Sequence, residues 1–211
     1  PGSADYSATI MRTLHIDQSR LRYRQVQATI GRPLKFEPRR REDVQFFFVA
    51  ATPRQARLLK PQLKYHRAGD VPVYASSLVY SGHPDPVADR DLDGVLFCDI
   101  PWLFDDTPDA ELKARIRQAD PATLQRLPRL VALGIDALRI IPYLQRLASN
   151  AHERYEGVTG TLWLDADRRL HRRLRWARFE KGRPVPLART TTATPTEQND
   201  GEGPRPAGTG G

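Results

Sequence analysis

VQFFFVAATPRQARLLKPQLKYHRAGDVPVYAS, residues 44–76, decides the fold class of this 211-residue chain. It opens on a near-continuous apolar run, Val44 to Ala50. Alternation is lost when neither face of a strand meets water, so the run predicts a strand covered on both faces of a parallel sheet. Thr52-Pro53 then supplies an N-cap and a first helical position where proline's missing N–H costs nothing. Ala56, Leu59 and Leu63 make the stripe of the following helix, which Pro61 is expected to kink. Gly69-Asp70 turns the chain into a second apolar segment, 71–76, and a third, GVLFCDI at 94–100, follows a long loop. Strand, helix, strand, crossover and strand is right-handed βαβ winding.

Outward from this unit, Ser3 to about His15 reads as a helix. Asp17 caps a second, with Tyr23, Val26 and Ile30 on one stripe and Gly31 as its stop. Leu34 to Phe36 is a short strand candidate. Beyond the third strand, Thr107-Pro108-Asp109 caps a helix bearing Leu112, Ile116 and Ala119. Leu130, Leu133, Ala137, Ile140, Leu144 and Leu147 stripe a longer one, kinked near Pro142. GVTGTLWLD, a turn at Ala166-Asp167 and RLHRRLRWARF form a hairpin with period-two alternation. The expected architecture is α/β: a parallel sheet of βαβ units, closing helices and a C-terminal β-hairpin. Residues 1–188 make one domain. Residues 189–211, rich in Thr, Pro, Gly and acids, cannot bury enough surface to offset ordering and read as a disordered tail.

Composition excludes several classes. No stretch approaches ~18 uninterrupted apolar residues, so none reads as a membrane-spanning helix. One cysteine excludes a disulfide framework, and Cys98 inside an apolar strand reads as a structural thiol. Five histidines without i, i+4 pairing indicate no metal centre, and there is no GxSxG and no phosphate-cradling glycine loop. No catalytic set and no cofactor is expected. The formal charge of +8 is concentrated in residues 168–183, where eight Lys or Arg meet one acid. That stretch reads first as a charged strand edge protected against aggregation, and second as a polyanion-binding surface. Loop 77–93 lies at the C-terminal end of a parallel strand, where open α/β sheets bind ligands, and carries Asp85, Asp89, Asp91 and Asp93.

Two resemblances extend this reading. Asp136-Ala137, Gly157 to Gly160 and Asp165 to Arg168 resemble the closing segment of type I periplasmic binding proteins of the branched-chain amino-acid kind, with Arg168 where that pattern has a turn glycine. FEPRRREDVQFFFVAATPRQARLLKPQLKYHRAGDVPVYASSLVYSG and DRDLDGVLFCDIPWLF resemble the C-terminal domain of the LppC/LpoA family of penicillin-binding protein activators. Together the likeness spans roughly residues 5 to 187.

This family resemblance implies a non-catalytic regulator of peptidoglycan synthesis. It implies an outer-membrane lipoprotein facing the periplasm of a Gram-negative bacterium, held to the membrane only through an N-terminal lipid anchor outside this chain. The implied partner is a bifunctional class A penicillin-binding protein whose transpeptidase is stimulated. Peptidoglycan fragments are a further candidate ligand, and no nucleic acid is expected. A chain opening on Pro-Gly-Ser at a helix is expected to be a fragment holding mostly the second lobe of a two-lobed domain, with crossings to the first near 102–120 and 149–156. Candidate cleft or partner-facing residues are Ser77, Tyr80, Asp85, Asp89, Asp99, Trp102, Arg173 and Arg175. The rival readings are a small-molecule sensor using Ser77, Tyr80 and Asp99, and an anionic-polymer or nucleic-acid binder using Arg168 to Arg183.

Overall fold

Residues 5–33, 35–104 and 109–188 are described by the computed structural model. In chain order the first half holds α1 (Ser7–Thr13), α2 (Ile16–Ile30), β1 (Phe47–Val49), α3 (Pro53–Tyr65), β2 (Val73–Ala75) and β3 (Leu96–Asp99). Four helices follow: α4 (Ala110–Ala119), α5 (Pro121–Arg126), α6 (Pro128–Arg139) and α7 (Leu144–Ser149). Five strands close the chain: β4 (Tyr155–Gly157), β5 (Gly160–Leu164), β6 (Leu170–Arg173), β7 (Arg175–Glu180) and β8 (Arg183–Pro186). Among the described residues the eight strands form two sheets, a five-stranded one in the order β1-β2-β3-β7-β8 and a three-stranded one in the order β4-β5-β6.

The βαβ unit forms as its chemistry dictates. Thr52 and Gln55 make a reciprocal capping box, and α3 runs on through Pro61 to Tyr65. β1, β2 and β3 are parallel, with Phe47 beside Val73 and Tyr74 beside Leu96, while β7 joins β3 antiparallel. Ala56 and Leu63 of α3 pack into the core of Val73, Ala75, Val95, Phe97, Ala177 and Phe179. Phe97 stacks on Phe179 at 4.9 Å between ring centroids.

The apolar run 44–50 does not lie covered on both faces. Alternate residues of this sheet point away from the core, leaving Phe48 66% exposed and Phe46 and Trp176 about half exposed. Tyr74 meets Phe46 and Trp176 edge to face, at 5.8 and 6.0 Å. The aromatic row is a self-packed outer surface among the described residues. A run apolar at both parities carries no sign of which side a neighbour takes.

The closing hairpin also differs from its one-dimensional pattern. Its returning strand divides at Leu174: β6 pairs with β5, and β7 passes into the larger sheet beside β3. Alternation continues across the break, so periodicity alone reads one strand where the fold has two. β8 escaped the sequence reading because Pro184 and Pro186 speak against a strand, but it is an edge, where proline is tolerated. The turn at Arg168 has φ 58°, the left-handed region that favours glycine.

Other expectations differ locally, some by a shift of cap and some outright. His15, with φ 57°, occupies the α2 N-cap position in place of Asp17, whose carboxylate instead takes the N–H of Gln18. Gly31 ends α2 with φ 70°, but Val26 and Ile30 remain exposed; Tyr23 stacks on Phe36 at 4.3 Å. Lys35 and Phe36 are not in a strand, and α6 and α7 are separated by a 3₁₀ turn at Ile141–Tyr143. The buried stripe of α6 is Pro128, Ala132 and Asp136, whereas Leu130 and Leu133 are exposed. Ser3, Leu34, Thr107, Pro108 and the predicted tail lie outside the described residues.

Candidate partner-binding surface

Loop 77–93 leaves the C-terminal end of β2 and packs between α3, β3 and the β7–β8 turn. Of its acids only Asp89 is buried; Asp85, Asp91 and Asp93 stay exposed, and the four are not gathered at one point. Asp89, 1% exposed, accepts hydrogen bonds from Arg57 Nη2 at 2.7 Å and from the Asp85 N–H at 3.0 Å. Asp85 lies 4.0 Å from the same guanidinium and takes the N–H of Ala88. Asp93 accepts from the N–H of Gly182, at the tip of the β7–β8 hairpin. Gly182 is required there, because a Cβ would sit 2.3 Å from the Pro86 carbonyl. These contacts brace the loop, leaving Leu78 and Val87 outside it as exposed apolar side chains.

Ser77, Tyr80 and Asp99 are brought together by Arg129, a residue the sequence reading did not single out. Arg129 donates to the two Asp99 oxygens at 3.2 and 2.5 Å, and Nη2 also reaches the carbonyls of Ser77 and Tyr80. Only its position after Pro128 in α6 hints at a role, and that follows from nothing in its neighbours. Asp99 is 1% exposed, so the ion pair is a strut between β3, the loop and α6. A carboxylate already held bidentate is poorly placed to recognise a ligand.

The remaining candidates separate. Trp102 is fully buried; its backbone N–H donates to the Val158 carbonyl, and its backbone carbonyl takes Lys113 Nζ at 2.7 Å. Tyr80 is buried against Phe97 and Phe179. Arg173 is exposed on β6, whereas Arg175 is half-buried on β7, in register with Asp99. The basic stretch 168–183 is therefore divided between two sheets, not presented as one strip. Cys98 is half-buried, and burial, then the Asp99 charge, push its thiol pKa up, away from nucleophilic chemistry.

The motif residues shared with the closing segment of binding proteins have a physical task. Asp136, 2% exposed, accepts the N–H of Val158 at 2.9 Å and both the N–H and hydroxyl of Thr159, at 2.7 and 2.5 Å. Gly157 permits this approach, since a Cβ there would lie 2.4 Å from Asp136 Oδ2. The aspartate of α6 and the Gly-x-Thr-Gly turn are two halves of one latch.

A family model described as "LppC putative lipoprotein" matches residues 2–182. The penicillin-binding protein activator LpoA of Aliivibrio fischeri is 30% identical over 165 residues, 77% of this chain and 27% of that protein. The chain spans about a quarter of the length of the curated relatives it matches. The LpoA (YraM) C-domain from Haemophilus influenzae, a regulator of PBP1A, aligns with a TM-score of 0.58 and 22% identity, over 78% of this chain and 49% of that one. A "putative branched-chain amino acid ABC transporter" from Rhodospirillum rubrum aligns with a TM-score of 0.51 and 22% identity, over 68% of this chain and 44% of that one. Both structural likenesses concern the fold, a periplasmic-binding-protein-like α/β arrangement with a parallel-containing sheet. The match over residues 2–182 makes this chain a member of the LppC family.

Proposed function

We propose that this chain is a non-catalytic, partner-binding part of a penicillin-binding protein activator. It works on the periplasmic side of the outer membrane, in a protein held there by a lipid anchor. The observation that carries the reading is the 30% identity with an LpoA activator over 77% of the chain. Its partner is a class A penicillin-binding protein, and activation requires that the chain bind the active conformation of that synthase more tightly than the inactive one. The exposed members of the candidate set, Asp85 and Arg173, together with Leu78 and Val87 on the braced loop, are the surface offered. The sensor reading is weakened by the engagement of Asp99 with Arg129. The polyanion reading is weakened by the division of the basic stretch at Leu174.

The test is capture of a purified class A penicillin-binding protein by this chain, followed by a transpeptidation assay. Binding with stimulation establishes an activating unit. Binding without stimulation makes it a docking piece, and no binding by the folded chain removes the reading.

A further inference from the structure

Between the 82–84 bend and the α4–α5 pair lies an open groove of about 370 Å³, within the size range of ligand sites. Every ionisable side chain lining it among the described residues is basic: Lys113 and Arg117, one turn apart on α4, and His83 on the opposite rim. Among the described residues no carboxylate lines it, and Arg117 has no ion-pair partner. Lys113 is held in place by its bond to the Trp102 carbonyl and by its position 5.7 Å over the Trp102 ring. His83 is held by Nε2, 2.7 Å from the Gln125 carbonyl.

Apart from Gln125, the rest of the groove is apolar and stiff. Leu103 and Leu124, both buried, form its base. Pro84, Pro121 and Pro128 stiffen its sides by fixing backbone dihedrals. Gly82 allows the walls to close: its φ is 93°, and a Cβ would lie 3.1 Å from Pro128. The surface is thus pre-formed, with an aliphatic floor under a positive rim.

We propose that this groove is a docking site for a short acidic peptide segment of a protein partner, seating an aliphatic side chain on Leu103 and Leu124 and its carboxylates against Arg117 and Lys113. The inference deepens the activator reading and rests on it for the partner's identity. The site itself stands on charge complementarity and shape. A desolvated floor supplies affinity, and the rim charges supply steering and selectivity.

The probe is a capped hexapeptide of alternating Leu and Glu, with a Leu/Lys counterpart, titrated into the full chain while backbone amide resonances are followed. The acidic peptide is expected to shift amides of residues 113–125 and to bind more weakly as salt rises; the basic one is expected to leave them unmoved. Arg117→Glu, on an exposed side chain, is expected to weaken binding about tenfold with unchanged circular dichroism, and Arg117→Lys to retain it. Equal binding of both peptides, shifts confined elsewhere, or an unaffected Arg117→Glu variant overturns the site. Capture of a class A penicillin-binding protein by wild type and Arg117→Glu alike overturns the groove as its dock and leaves the activator reading intact. Groove-specific peptide binding without capture of the synthase keeps the site and removes that reading. Preference for free cell-wall peptides over the hexapeptide overturns the protein partner.

Discussion

In the five-stranded sheet, Phe97 lies on Phe179 while Val73, Ala75, Val95 and Ala177 close the space around them. The three-stranded sheet has a far smaller apolar cluster, of Ile140, Leu147 and Leu162 with Tyr155 and Leu164 packed against it. At its heart sits a carboxylate, Asp136, spending its acceptors on Val158 and Thr159. One region is held by non-directional burial, the other by a few directional bonds that work only at one geometry. The first tolerates imprecision and the second does not, which is why glycines at 157 and 160 are pressed against Asp136 and the Arg173 carbonyl.

The comparison is broken most severely by removing mass from the larger core. Phe97→Ala is expected to cost about 3–5 kcal/mol in urea unfolding, because Phe97 is fully enclosed by Tyr80, Phe104 and Phe179. Both sheets are expected to unfold together in that variant, since β7 belongs to the larger and is continuous with β6 of the smaller.

Next comes the latch. Asp136→Ala strands two buried N–H groups and is expected to cost about 2–4 kcal/mol. Hydrogen exchange is expected to accelerate in β5 well before it does in β3. Equal acceleration in the two would show that the small sheet has no independent weakness.

A smaller effect of opposite sign is available at the β5–β6 turn. Arg168 holds a left-handed conformation that glycine adopts without strain, so Arg168→Gly is expected to raise stability by about 1 kcal/mol in thermal and urea unfolding. A neutral or destabilising result would mean that the arginine side chain makes up for its backbone.

The smallest expected differences lie in pH. Burial, and then the Arg20 charge, lower the pKa of His66 at the end of α3 from its usual 6.5. The unfolded chain therefore binds the proton more readily, and this residue's contribution is present above pH 6.5 and lost as pH falls through the folded value. Asp165, at the small-sheet turn, is held below its ordinary 3.8 chiefly by the His171 ring and the Arg169 N–H. Its contribution is lost only as pH falls below 3.8. His66→Gln is expected to flatten melting temperature between pH 7 and 5. Asp165→Asn is expected to change only the more acidic limb.

Most local elements of the first hundred residues were legible. Thr52-Pro53 capped α3, Gly31 ended α2, and three apolar segments became three parallel strands. Capping groups and turn glycines act on their immediate neighbours, so their consequences can be read from spacing. The candidate site was less legible. Ser77, Asp85, Asp89 and Asp99 were recognised as lying at the right end of the sheet, but Arg57 and Arg129, which engage all four through side chain or carbonyl, were not. Arg57 and Asp89 are 32 residues apart, Arg129 and Asp99 30 apart, and no local pattern marks such a pair.

By itself, then, the sequence determined the strand and helix order of the βαβ unit and the elements' approximate bounds. Only the tertiary structure decided which face of the larger sheet stays open, where the returning strand changes sheets, and which acids become struts rather than contacts. Those outcomes depend on what stands opposite each side chain. Periodicity states that a residue has an inside and an outside, but a partner brought from 30 or more residues away settles which is which.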